Sequence, residues 1–345
     1  MTFESSLAYK ALYPHFQQRV QAQEPLALHS SFGVGGPADL WVTLETRQEL
    51  NDLISVCARE RWPLLVVGAG SNILYADAGV RGIVASLALS SFTVEEQPDQ
   101  SALVIAEAGV RWSRLLDALV PLGWGGLEFG AGIPGTLGGG IVSNAGAHNQ
   151  DLGQALEWIE VLDARNCNEG GDEPIIFPVI VQRRYPRESL NLSYRHSRFR
   201  ENRLVQIDEQ GQLVLPVRLL IEPAELVVTL ALRVQRQDPL MLAAQLEAHR
   251  RERKGSDPAQ KHLGSIFKDP QDSSASSARV LIEQAGVAGL SCGKAQISPY
   301  NANYIVNLGG ASATDIVSLI VEAHQRVLAT SGIHLMLNVE LAGAW

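Results

Sequence analysis

Gly130-Ala131-Gly132-Ile133-Pro134-Gly135-Thr136-Leu137-Gly138-Gly139-Gly140-Ile141-Val142-Ser143-Asn144-Ala145-Gly146-Ala147 places seven glycines in eighteen residues. Glycine in regular structure costs about 0.5–1 kcal/mol of backbone entropy per residue, so such a run in a folded region requires a compensating gain. A flexible surface loop would require none, but Ile133, Leu137, Ile141 and Val142 are interleaved with the glycines and indicate a buried segment. Close approach of bare backbone to a large planar or phosphorylated ligand supplies the gain, and ligand contact is the favoured reading.

Upstream, Gly68-Ala69-Gly70-Ser71-Asn72 follows the buried-strand run Pro63–Val67. Consecutive amides without β-carbons form an anion-binding concavity. The spacing is not GxGxxG, and Ile73-Leu74-Tyr75 continues as strand rather than opening a helix, so a Rossmann nucleotide site is excluded. Taken alone, this loop is equally an ordinary turn or a phosphate grip.

Around these turns the chain divides into three regions. In residues 1–98, strands are expected at Leu40–Val42, Pro63–Val67, Ile73–Tyr75 and Arg81–Ala85, with a helix opened by the capping box Thr46/Glu49. Gln97–Gln100 reads as a turn and a domain boundary. In residues 99–238, strands are expected at Leu103–Gly109, Trp158–Leu162 and Leu226–Leu232, with a helix over Trp112–Leu122 and a surface insertion at 165–190. Residues 239–345 begin at the cap Asp238 with Pro239 at the first helical position. That helix ends in His249-Arg250-Arg251-Glu252-Arg253-Lys254, cations that complement the carboxyl-end dipole. Further helices are expected at about 278–285 and from the cap Ser312, with Asp315, to about Thr330. Groups of strands and helices without a strict βαβ rhythm indicate an α+β class.

The 345 residues exceed the roughly 250–300 at which a single core stops growing, which also calls for several domains. With 28 Lys plus Arg against 37 Asp plus Glu the formal charge is −9, so general nucleic-acid binding is not expected and a polyanionic ligand needs a local basic pocket. Cys57, Cys167 and Cys292 fit neither a CxxC motif nor a disulfide framework, and no metal site is expected. The first residues lack the pattern of a secretory signal, and no run approaches the ~20 apolar residues of a membrane span. A soluble, cytoplasmic enzyme or ligand carrier is therefore expected; a monomer is the default expectation, and no feature of the sequence fixes the oligomeric state.

Three other stretches carry chemistry-bearing side chains. Leu192–Arg200 clusters cations, of which an arginine could fork a carboxylate; by composition alone a solvated edge is the commoner case. Ser265, in Gly264-Ser265-Ile266-Phe267-Lys268, lacks the context of a nucleophile elbow, yet a fixed hydroxyl can transfer a proton. Glu340, in Leu337–Leu341, read alone is an outward-facing strand carboxylate.

Together these blocks resemble the UDP-N-acetylenolpyruvoylglucosamine reductase family, in the family's order: His29–Ala38, Val67–Leu74, Ile133–Ala147, Tyr194–Ser197, Gly264–Lys268 and Ala302–Asn307. The resemblance implies a two-subdomain FAD-binding fold of the vanillyl-alcohol-oxidase type (1–98 and 99–238) and a C-terminal α+β substrate-binding domain (239–345) whose last strand returns to the flavin site. It implies non-covalent FAD, NADPH as reductant and a UDP-sugar substrate, with hydride passed to the enolpyruvyl group to give UDP-N-acetylmuramate. The short run from Leu232 to Asp238 resembles the subtype without a tyrosine-bearing loop. Carried over residue by residue, Arg195 and Glu340 stabilise the enediolate and Ser265 donates the proton, assisted by Glu340 or Arg195. Cofactor contacts fall on Gly68, Ala69, Gly70, Ser71, Asn72, Ile133, Pro134, Gly135, Gly138, Gly139, Asn144, Ala145 and Gly146. Substrate contacts fall on Tyr194, Lys254, Lys268 and Asn303. Lys294, Asp269 and Pro299-Tyr300-Asn301 depart from the family pattern, as do the insertions at 165–190 and 203–222. The alternatives are a flavin oxidase or dehydrogenase of the same fold, with covalent flavin on His148, and a non-catalytic flavin-binding relative.

Overall fold

A computed structural model of the chain describes residues 3–169, 175, 177–201, 203–272 and 276–345. Local signals place most elements where the sequence puts them. Thr46 Oγ1 accepts from the Glu49 amide and the Glu49 carboxylate answers to the Thr46 amide, opening the helix Arg47–Glu60. Ser312 and Asp315 do the same for Ala313–Ser331. Asp238 accepts from the Leu240 amide, with Pro239 first in the helix Pro239–Ser256. Each cap satisfies amides that a helix start would otherwise leave bare.

Two sheets carry the first two thirds of the chain. The first has the order Val20–Pro25, Pro37–Leu44, Val80–Leu87, Leu64–Val67, Ile221–Glu222. Its pairings are parallel apart from the antiparallel first pair. The helices Ser5–Phe16 and Arg47–Glu60 cover one face, burying Leu12, Leu50, Leu53 and Ile54 against Leu40, Val42 and Ile83. The second sheet has the order Val181–Pro186, Leu156–Asp163, Glu225–Arg236, Ser101–Glu107, Phe92–Glu96 and is antiparallel throughout. Trp112, Leu115, Phe129, Leu137 and Ile141 pack on it.

The third group is a three-stranded antiparallel sheet, Ser291–Cys292, Ala295–Ile297 and Ile305–Asn307. The helices Ala278–Gln284 and Ala313–Ser331 share a core with it that includes Leu281, Ile282, Ile316 and Ile320. Phe32, Val34 and Leu74 from the N-terminal part join this same core.

Several features differ from the expectations. The turn at 97–100 joins two strands of one sheet, with Glu96 opposite Ala102; the chain passes between sheets after Leu87. Ile73–Tyr75 does not extend the neighbouring strand Leu64–Val67 but pairs in parallel with Glu340–Ala342, more than two hundred residues away. The stretch 165–190, expected as an insertion, contributes the edge strand Val181–Pro186; residues 170–174 and 176 lie outside the described residues. The stretch 203–222 holds a small hairpin, Gln206–Ile207 with Leu213–Val214, and the edge strand of the first sheet. The N-terminal helix Ser5–Phe16 had no expected counterpart. Among the described residues no helix is long and apolar enough to cross a membrane, and no group of three or more His, Cys, Asp or Glu is placed to hold a metal ion.

Candidate active site

A cavity of about 830 Å³ opens between the three groups of elements. Both glycine turns line it, residues 68–72 from one side and residues 132–147 from the other. The turns touch each other: Ser71 Oγ donates to Pro134 O at 3.3 Å. A β-carbon on Gly135 (φ +107°) would sit 2.6 Å from Ser71 Oγ. At Gly70 (φ +62°) a β-carbon would fall 1.8 Å from His29 O, so only glycine fits this left-handed turn. Gly139 is different. Its hypothetical β-carbon meets only Thr136 Oγ1, at 3.5 Å, while the residue faces the cavity. The bare backbone there leaves room for a ligand that any side chain would take. The second segment contains the short helix Leu137–Val142, capped by Thr136, and no Asp or Glu occurs in 68–72 or 132–147, so neither segment sets a repelling carboxylate against a bound anion.

At one end of the cavity, charged side chains converge from distant segments. Arg195, Ser265 and Glu340 all line it. Arg195 sits in a tight turn at φ +54°, closed by bonds between Ser193 and His196, and donates through Nη2 to Gly146 O at 2.7 Å. Asn144 braces the same turn: Nδ2 donates to Ser193 O at 2.8 Å and Oδ1 accepts from the Gly153 amide at 2.9 Å. The second glycine turn thus holds the Arg195 loop in place.

Glu340 is 9 % exposed, not outward-facing as its strand context alone suggests. Strand pairing with Ile73 sets its position, and its amide donates to Asn72 O at 3.0 Å. Its carboxylate lies between Arg203 Nη2, at 3.0 Å, and Arg200 Nε, at 3.4 Å. Arg200 has no exposed surface. It donates to Asn338 O at 2.6 Å and Arg195 O at 3.3 Å, while its Nε contact with Glu340 is an ion pair without hydrogen-bond alignment. Burial pushes this guanidinium's pKa below its ordinary value, although Glu340 pulls the other way. Lys268 is pushed down to about 8 by burial and then by Arg200 and Arg195, so one acidic group faces a cationic cluster.

Residues 257–342 match the model of the UDP-N-acetylenolpyruvoylglucosamine reductase C-terminal domain, and residues 38–166 match that of an FAD binding domain. The UDP-N-acetylenolpyruvoylglucosamine reductase of Heliobacterium modesticaldum is 35% identical over 95% of this chain and 92% of its own. That of Chloroflexus aggregans is 35% identical over 93% and 97%. The chain belongs to the UDP-N-acetylenolpyruvoylglucosamine reductase family. The crystal structure of the reductase from Thermus caldophilus superposes with a TM-score of 0.69 at 29% identity, covering 94% of this chain and 99% of that one. The fold is the family's: an FAD-binding part built on two sheets and a C-terminal α+β part.

Other expected site residues lie elsewhere. Gly135 and Asn144 are not on the cavity wall; one lies where the two turns touch and the other is the brace described above. Asn303 is buried and spends its amide on Phe267, accepting from its N–H and donating to its C=O, both at 2.9 Å. Tyr194 is exposed and donates to Asp269 Oδ2 at 3.2 Å. Asp269 Oδ1 accepts from the Ala278 amide at 2.8 Å, so this departure from the family pattern supports a helix start. Lys254 points to solvent; Arg253, one residue earlier, lines the cavity and pairs with Asp257 at 3.1 Å. The other cations of this helix are taken up by Asp117 and Glu247. His148 does line the cavity, and its ring stacks on that of His249 with centroids 3.8 Å apart. Arg200, Arg203, Asn338 and Tyr304 were missed as site residues. Arg200 lay in the basic cluster and Tyr304 in a family block, but nothing in the sequence said which neighbours they would meet.

Proposed function

We propose that the chain reduces UDP-N-acetylglucosamine enolpyruvate to UDP-N-acetylmuramate, with NADPH as reductant and non-covalent FAD between the two glycine turns. The observation that supports this most directly is the meeting of Arg195, Ser265 and Glu340, far apart in sequence, on one cavity with both turns. The backbone of 68–72 and 138–146 would hold the cofactor's phosphates and ring. Bound FAD supplies hydride transfer from NADPH to the enolpyruvyl carbon.

The chain's residues handle the resulting charge. Addition to the β-carbon of the enol ether pushes negative charge onto the substrate carboxylate. Arg195, with one guanidinium nitrogen tied to Gly146 O, presents its remaining donors to that charge without reorganising. Removing one such preorganised donor typically costs about 3–4 kcal/mol of barrier. Glu340 pairs with Arg200 and Arg203 and holds both at fixed places, while Lys268 adds positive field beside Arg195. Ser265 is held from the other side, its carbonyl accepting from Asn338 Nδ2 at 3.0 Å, and gives the α-carbon its proton.

The test is Ser265→Ala in a single-turnover experiment. Bleaching of the yellow protein by NADPH should persist, whereas re-oxidation by the enolpyruvyl sugar should be blocked. Equal loss of both steps would refute the role of Ser265. Acid precipitation should release the colour into the supernatant; a yellow pellet would instead point to covalent attachment and a different oxidoreductase.

A further inference from the structure

A hydroxyl gives up its proton efficiently only from a fixed place, and the chain around Ser265 is anchored on both sides of one loose joint. Downstream, the Ser265 carbonyl accepts from Asn338 Nδ2 at 3.0 Å. The Ile266 amide donates to Asn303 O at 2.8 Å, and Ile266 O accepts from the Asn338 amide at 2.7 Å. Upstream, Lys261 O accepts from the Asn307 amide at 3.0 Å, and Leu263 is buried in the C-terminal core. Gly264 joins the two sides at φ +80°, where an added β-carbon would meet nothing within 4 Å. Glycine leaves this conformation readily, and no packing holds it from that side. A side chain two residues back does: the Gly264 amide donates to His262 Nδ1 at 2.9 Å.

That bond has a chemical requirement. Nδ1 accepts only in the neutral imidazole with its hydrogen on Nε2; in the imidazolium both nitrogens donate, and two N–H groups would face each other. His262 is half-buried on the cavity wall, with its ring stacked on that of Tyr304, centroids 5.0 Å apart and planes at 23°. The stack fixes the ring plane and so the direction of Nδ1. Asp257 and Arg253 act on the ring from the end of the helix Pro239–Ser256. They pair with each other at 3.1 Å, and Asp257 also accepts from the Tyr304 hydroxyl at 3.0 Å. The Lys261 ammonium lies beside Gly33. Burial lowers the His262 pKa, Asp257 opposes the shift and Arg253 adds to it, so the accepting form is the resting one at neutral pH.

We infer that His262 is a positioning residue for substrate protonation: its Nδ1, as an acceptor, holds the Gly264–Ser265 turn and so the place from which Ser265 gives its proton. The inference rests on the role proposed above for Ser265. In acid, protonation of Nδ1 turns the acceptor into a donor, the Gly264 amide loses its partner and the turn reorients.

Two measurements test this on the FAD-loaded protein. In protein carrying nitrogen-15-labelled histidine, the His262 ring signals, identified by their loss in His262→Asn, should show Nδ1 bare and Nε2 protonated at neutral pH. A hydrogen on Nδ1 overturns the inference, and this readout needs no turnover. The second measurement follows re-oxidation of the NADPH-reduced flavin by the enolpyruvyl sugar across pH. In the parent the rate should fall as pH drops below the ordinary imidazole value of 6.5. His262→Leu, with no acceptor, should re-oxidise about fivefold to tenfold more slowly, the population that one neutral hydrogen bond controls. His262→Asn sets Oδ1 near the place of Nδ1 and does not titrate, so it should restore most of the loss and lack the acid limb. A limb that persists in His262→Asn, or an undiminished Leu variant, overturns the inference. So does an equal slowing of reduction by NADPH, a step that does not use Ser265. If the unaltered protein fails to turn over the sugar, the proposed reaction falls and the positioning role with it, while the nitrogen signals still decide the bond to Gly264.

Discussion

Replacing Arg200 by methionine removes a guanidinium with no solvent exposure that serves Asn338 O, Arg195 O and the Glu340 carboxylate together. Methionine spans a similar length and packs adaptably, so the change isolates charge and hydrogen bonding from gross cavity formation. Glu340 keeps Arg203 at 3.0 Å, but two carbonyls lose their donor and the carboxylate loses its buried neighbour. Breaking one side of a buried ion pair costs about 3–5 kcal/mol. The lowered pKa of Arg200 shows that burying this charge is itself costly, which places the net near the lower end, about 3 kcal/mol. Unfolding entropy is about 2.1 cal/mol/K per residue, or roughly 0.7 kcal/mol/K for 345 residues, so Tm should fall by about 4 °C. Thermal unfolding of the FAD-loaded protein, followed by circular dichroism and flavin fluorescence, measures this. Because Arg200 also holds the carbonyl of Arg195, kcat should drop alongside. A Tm within about one degree of the parent, with kcat retained, would refute the view that Arg200 ties Arg195 and Glu340 into one unit.

Three further outcomes are expected. Gly70→Ala forces a β-carbon to 1.8 Å from His29 O at φ +62°; the left-handed conformation alone costs about 1–2 kcal/mol, and the purified variant should carry less flavin by absorbance. A variant as yellow and as stable as the parent would remove the steric argument for that turn. Lys268, with a folded pKa near 8 against an unfolded value of 10.5, binds fewer protons folded than unfolded between those values, so its contribution to stability rises with pH through that window and its penalty is fully present below it. Substrate KM should rise above pH 8 as the ammonium is lost, and Lys268→Met should abolish that limb of the profile; an unchanged limb would assign it to another group. Asn303→Ala strips two hydrogen bonds from the buried Phe267 backbone, at about 1–3 kcal/mol for each group left unsatisfied. The urea midpoint should fall with an unchanged slope, and an unmoved midpoint would return Asn303 to the list of substrate contacts.

The departures from expectation share a cause. Glu340 looks like an ordinary strand carboxylate until its strand is paired with Ile73–Tyr75 and Arg200 and Arg203 close on it. Lys254 looks like the basic residue facing the ligand until helix phase turns Arg253 to the cavity instead. Asn303 sits in a recognisable block, but its amide is consumed by a neighbour thirty-six residues away. A side chain's type survives in the sequence; its orientation is a product of packing.

What the sequence determined by itself is local or statistical. Helix starts at Thr46, Asp238 and Ser312 are written in side chains within three residues of the amides they satisfy. The glycine turns are written in residues that alone adopt or leave room for their backbone, and the order of motif blocks carried the family and its chemistry. Only the tertiary structure decided which strand Ile73–Tyr75 joins, that Ile221–Glu222 closes the edge of the first sheet, and that Arg200 and Arg203 close on Glu340. These contacts join segments far apart in sequence, and periodicity within one segment says nothing about which other segment completes its hydrogen bonds or charges. Burial of all three cores together makes that choice.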